Sequence, residues 1–155
     1  YGFGYGCQVA GASASILGCL MDYNRHCITS ERDYPISQYS AWFNIFGPNN
    51  KIGQCIDIHG GNDVSNPAVP AGGSFKIHHN TFQTVTGYPT WTPTQCSIRG
   101  VPLVGAEFYL NWFLYNAPYE TFLIYQSSGN IGGSTPQVPW NKVYAHDNWR
   151  GPTLP

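Results

Sequence analysis

The residues best suited to proton transfer and anion recognition recur at matching places in similar segments. Ile56-Asp57-Ile58-His59 alternates apolar and polar residues, as a half-buried strand does. Ile56 and Ile58 are the natural inward pair, so Asp57 and His59 are expected on the outward face. Cys96-Ser-Ile-Arg99 and Phe122-Leu-Ile-Tyr125 carry related patterns. Aligned on their Ile residues, they place His59, Arg99 and Tyr125 in one outward column spanning about 10 Å, with Asp57 on the same face. Arg25 and His26 lie at the start of an earlier segment of this type. An imidazole, a guanidinium, a phenol and a carboxylate on one strip make a site for a uronate. Arg99 would neutralise the substrate carboxylate, His59 would remove the proton alpha to it, and Tyr125 would protonate the leaving oxygen. Arg25 and His26 would extend the binding strip, and Trp91 and Trp140, on flanking loops, would stack on sugar rings.

Two other readings compete for these residues. In one they form a structural network, with Asp57 holding Arg25 or Arg99 and orienting His59. In the other, Asp57, His59 and His26 hold a divalent metal. The ligand types suit a transition metal, but no spacing motif supports it, and no cofactor is expected. A register that aligns the early cysteines as an inward ladder would bury Asp57 and His59, which is costly without partners. The Ile alignment is therefore preferred.

The positioning elements are read from a second set of segments. Tyr39-Ser-Ala-Trp-Phe-Asn44-Ile-Phe46, Phe75-Lys-Ile-His-His-Asn80-Thr-Phe82, Glu107-Phe-Tyr-Leu-Asn111-Trp-Phe113 and Val143-Tyr-Ala-His-Asp-Asn148-Trp149 each run through an alternation to an Asn and then an aromatic. The Asn spacings are 36, 31 and 37, an irregular repeat of the length used by stacked-repeat folds. Asn suits a corner between strands because it tolerates the left-handed region and hydrogen-bonds backbone groups. Stacked Asn amides can also bond one another, and the aromatic that follows should stack inward on its counterpart. Cys19 takes the corner place in Ile16-Leu-Gly-Cys19-Leu-Met21. His78 and His79 cannot both face out and read as corner residues beside Asn80; His146-Asp147 repeats that position.

Composition agrees. Charged residues make up 10 %, against roughly 25 % in typical soluble domains. Gly (18), Pro (12) and aromatics (15 %) are plentiful, which suits short strands and tight turns. No stretch keeps a capped helical periodicity. The fold class expected is all-β: a right-handed parallel β-helix of about four coils with Asn corners, forming a single domain over 1–155. A net charge of −1 with no basic run argues against nucleic-acid binding, and no apolar run is long enough for a membrane span. The opening at Tyr1 without Met reads as a mature or excised piece of a longer extracellular or cell-surface chain. The five cysteines form no C-x-x-C. They read first as small buried side chains, and second as disulfides between neighbouring coils, with Cys7–Cys27 the favoured pair.

These segments resemble the right-handed parallel β-helix superfamily that includes pectate lyases. Tyr23-Asn-Arg-His26, Asp57-Ile-His-Gly-Gly61, Ile77-His-His-Asn-Thr-Phe82 and Ile98-Arg-Gly-Val-Pro102 are similar to a group found in microbial surface proteins. The resemblance implies an extracellular module that binds or processes an acidic polysaccharide, as a lyase or glycoside hydrolase if it is an enzyme. The Asp-rich calcium cluster of pectate lyases and the paired Asp residues of polygalacturonases are absent. The alternative is a structural surface protein forming a homo-oligomer or filament by end-to-end stacking, for which open sheet ends and low charge are the motive.

Overall fold

The computed structural model describes residues 4–31, 34, 36–50, 55–59, 70–83, 95–99, 101–114, 123–126 and 142–151. Strands recur there in a fixed order of two longer pieces and one two-residue piece. The first repeat holds β1 (Tyr5–Val9), β2 (Ser13–Leu17) and β3 (Leu20–Met21). The second holds β4 (His26–Ser30), β5 (Gln38–Trp42) and β6 (Ile45–Phe46). The third holds β7 (Ile56–His59), β8 (Ser74–His78) and β9 (Thr81–Phe82). The fourth holds β10 (Cys96–Arg99), β11 (Gly105–Tyr109) and β12 (Trp112–Phe113), and the fifth β13 (Leu123–Gln126), β14 (Val143–His146) and β15 (Trp149–Arg150). Equivalent strands pair in parallel across repeats, giving three five-stranded sheets. This all-β arrangement is compatible with a parallel β-helix. Among the described residues it has five repeats, where about four were expected. Among the described residues no helix is long and apolar enough to cross a membrane.

The inner faces follow from alternation. In the second sheet Tyr39, Phe75 and Ala106 share one buried column, and Ala41, Ile77 and Phe108 the next. Third-sheet strands contribute Phe46, Phe82 and Phe113, stacked at centroid separations of 4.6 and 4.5 Å. Each such ring contributes about 1.5–3 kcal/mol through burial, and stacking adds about 0.5–1.5 kcal/mol per pair. The aromatic column stops at both ends. Met21 precedes Phe46 in register, and Arg150 follows Phe113. Trp149, the aromatic of the last repeat, is in register with Trp112 instead.

The corners hold the repeats in register. Asn44 donates through its backbone N–H and through Nδ2 to Oδ1 of Asn80, both at 3.0 Å. Asn80 does the same to Asn111 at 3.1 and 3.0 Å, and Asn111 to Asn148 at 3.0 Å twice. The second Nδ2 hydrogen returns to the previous repeat: Asn44 to the Ile16 carbonyl, Asn80 to Ala41, Asn111 to Ile77 and Asn148 to Phe108. The Cys19 amide joins the column by donating to Asn44 Oδ1. The left-handed residue is not the Asn, as expected from sequence, but the one before it. Phe43, His79, Leu110 and Asp147 have φ between 51 and 54°, and Gly18 takes this place in the first repeat at 64°. Side chains there cost about 1–2 kcal/mol each relative to Gly.

All five cysteines are free thiols: Cys27, Cys55 and Cys96 are buried, and Cys7 and Cys19 are partly so. The Cys7–Cys27 pairing is not formed, because Cys7 is in register with Ile28 rather than with Cys27.

Two substitutions test the corner. Asn80→Ala removes an acceptor for two bonds and a donor of two more, and should cost on the order of 3 kcal/mol or more. Leu110→Gly, at an exposed positive-φ position, should raise stability by about 1 kcal/mol. Urea unfolding midpoints measure both. A neutral Asn80→Ala would mean that the ladder does not hold the fold.

Candidate functional site

The first sheet sets the register of the proposed column. Asp57 is the partner of Thr29 and Ser97, and His59 is the partner of Arg99. The pairing of His59 with Arg99 is as expected. Tyr125 is not in that column: it is the register partner of Ile98, while Gln126 takes the place beside Arg99. The expected alignment is therefore corrected by one residue. Phe122-Leu-Ile-Tyr125 is apolar or aromatic at every place, so alternation does not distinguish its two faces. Trp91 and Trp140 lie outside the described residues.

Asp57 is also placed differently from expectation. It lies on the face opposite Ile56 and Ile58, yet it is fully buried rather than open to solvent. Burying a carboxylate demands partners, and two imidazoles are among them. His59 Nε2 is 2.6 Å from Asp57 Oδ2, and His26 Nε2 is 3.5 Å from the same oxygen. The His59 side chain keeps 19 % exposure, whereas His26 is buried. The His59 backbone N–H donates to Ser30 Oγ at 3.2 Å, which ties β7 to β4 beside the site. Ser97, next to Asp57 in register, is buried, and its Oγ has no hydrogen-bond partner among the described residues.

A local pinch aims His26 at Asp57. Two residues apart, His26 and Ile28 should share a face. The Cys27 and Ile28 amides both donate to the Cys55 carbonyl, each at 2.9 Å, a bulge that breaks the alternation. Gly6 permits the close approach, since a Cβ there would meet the Cys27 carbonyl oxygen at 2.6 Å. Tyr5 stacks on the His26 ring at 5.6 Å, and the Arg25 guanidinium sits over Tyr5 at 5.9 Å from its centroid. Arg25 thus reaches the site through Tyr5.

An ionised carboxylate accepts only, so His59 donates through Nε2, which leaves Nδ1 as its basic nitrogen. An imidazole oriented by a buried carboxylate is the arrangement that stabilises an imidazolium after proton uptake. No group of three His, Cys, Asp or Glu side chains among the described residues is arranged to hold a metal ion.

A second cluster escaped the sequence reading. Two places before each corner stand Leu17, Trp42, His78, Tyr109 and His146, in register on the outer face of the second sheet. Trp42, His78, Tyr109 and His146 form a continuous stack, with centroids 5.8, 4.7 and 5.4 Å apart and planes within 14°. Counting back from each Asn would have found this column. His78 Nδ1 also meets His79 Nδ1 at 2.9 Å. Burial, then the neighbouring His79 and Lys76, lower the His78 pKa against a weaker pull from Glu107. Hydrogen bonds to Asp147 and Glu107 raise that of His146. Beside this stack, two shallow hollows of about 230 and 300 Å³ lie on the second sheet and share Ser74 and Lys76.

Set beside known protein families, curated proteins and solved structures, the chain matches none of them.

The two histidines should titrate apart. His78, with a depressed pKa, contributes stability that is present above the unfolded value and lost as pH falls through its folded value. His146, with a raised pKa, contributes stability that is present below the unfolded value and lost as pH rises through its folded value. Histidine-resolved NMR titration should place His78 below the ordinary histidine midpoint and His146 above it, and Asp147→Asn should draw His146 back. Coincident midpoints would contradict the stack geometry.

Proposed function

We propose that the chain is a right-handed parallel β-helix of the pectate-lyase-like kind, and an extracellular module that binds and processes an acidic polysaccharide along its first sheet. The observation that carries this reading is the buried Asp57 carboxylate facing two imidazoles, with His59 partly open and Arg99 beside it in register. His59 Nδ1 takes the proton alpha to a uronate carboxylate, and Asp57 stabilises the imidazolium through Nε2–H. Arg99 supplies the charge that holds the substrate carboxylate. Tyr125 is left out of the acid role because its register places it with Ile98; the proton for the leaving oxygen, as the C–O bond breaks, comes from solvent water. Trp91 and Trp140 keep their proposed part in stacking on sugar rings.

The test is the ultraviolet absorbance of an unsaturated uronate product after incubation with uronate polymers. His59→Ala should reduce kcat by about 10²–10⁴-fold, while Arg99→Leu should act mainly on KM. No product from any uronate polymer would sink the lyase reading. Binding that survives His59→Ala, with no turnover in either protein, would leave a passive binding module.

A second reading, end-to-end assembly, is favoured by the sheet edges. Strands β1, β2 and β3 lie at one end of the three sheets, and β13, β14 and β15 at the other. The corner column limits it. Cys19 offers no amide oxygen to accept from Asn148 of a stacked copy, so the ladder would break at the junction. Light scattering on Cys19→Asn should show more association than on the native chain. If both are monomeric at high concentration, stacking is excluded.

A further inference from the structure

Cys27 and Cys55 stand on consecutive repeats at the strand starts that carry His26 and Asp57. The Cys27 amide donates to the Cys55 carbonyl at 2.9 Å, so the two residues are direct neighbours across a parallel pair. Strands in such a pair lie about 4.8 Å apart, within the Cα separation that a disulfide spans, about 4.4–6.8 Å. The Cys27 thiol is close enough to that of Cys55 to raise its pKa. Both residues are fully buried. Cys55 Sγ also meets Gln95 Oε1 at 3.3 Å and Asn50 Nδ2 at 3.8 Å, which holds the sulfur at this junction. Cys96 lies in a different column, in register with Ile56, so the next repeat offers Gln95 and not a third thiol to this sulfur pair.

We propose that Cys27 and Cys55 are a disulfide site that staples the start of β4 to the start of β7, next to His26 and two residues before Asp57. The bond forms by exchange with a small disulfide such as oxidised glutathione. The Cys55 thiolate attacks it and expels one glutathione thiolate. The Cys27 thiolate then attacks the mixed disulfide and expels the second. The two protons lost by Cys27 and Cys55 end on the two glutathione thiols, and one glutathione disulfide is reduced for each cross-link formed. The neighbouring Cys27 thiol, and then burial, raise the Cys55 pKa well above the ordinary thiol value, so exchange belongs to the folding chain or an opened junction, where the thiolate is available. Once the repeats close, the same burial shields the bond from reductants.

The experiment refolds the full chain from denaturant in a glutathione redox buffer and, in parallel, in dithiothreitol. After denaturation without reduction, alkylation should count three free thiols in the oxidised sample and five in the reduced one. Peptide mapping should join the segments containing Cys27 and Cys55. The oxidised chain should unfold at a higher urea midpoint than the reduced chain, and the double variant Cys27→Ala/Cys55→Ala should show no difference between the two buffers. Five alkylated thiols after oxidative refolding would overturn the proposal. So would a cross-link mapped to any other pair, such as Cys7–Cys19. Because the readout is thiol count and linkage, it stands apart from any assay of polysaccharide turnover.

Discussion

The three sheets are held in mutual register by a line of amide hydrogen bonds at one corner. Each internal Asn makes two bonds upward and one back to the previous repeat. At about 1 kcal/mol net per bond, a corner gains roughly 3 kcal/mol. The residue before it, held at positive φ, costs about 1–2 kcal/mol. The surplus is modest, but it recurs at every step and is directional. A strand that slipped by one residue would lose its corner and its aromatic stack together. The corner therefore does what a hydrophobic stripe alone cannot: it fixes which residues of distant segments become neighbours.

That fixed register gives Asp57 its meaning. In a chain with 10 % charged residues, a carboxylate buried with two imidazoles is costly unless its partners are held in place. Two separate devices hold them. His59 is two residues along the same strand, so alternation alone brings it to the same face. His26 comes from the preceding repeat and depends on the bulge at Cys27 and the glycine at position 6. The geometry of the site is thus inherited from backbone pairing.

Much of the architecture was legible because it is periodic. The Asn spacing revealed the corners, and the residues after them revealed the stack of Phe46, Phe82 and Phe113. The pairing of His59 with Arg99 followed from Ile58 and Ile98, which are unambiguous inward residues. What stayed hidden was whatever periodicity does not encode. The segment ending at Tyr125 has no polar alternation, so its face could not be read. The burial of Asp57 depends on what lies over its strand, and the aim of His26 on a local departure from alternation. The stack of Trp42, His78, Tyr109 and His146 was readable in principle, because each stands two places before a corner. Taken one at a time, the histidines carry no such signal; only the column does.

The two outer faces solve different electrostatic problems. On the second sheet, His146 meets Asp147 and Glu107 at an exposed edge, where solvent screens the pairs and their worth is small. On the first sheet, Asp57 and His59 meet with the carboxylate out of water, where each interaction is stronger and a missing partner far more costly. That contrast, more than residue type, is the ground on which the proton-transfer role is proposed for the first sheet, although the open hollows lie on the second.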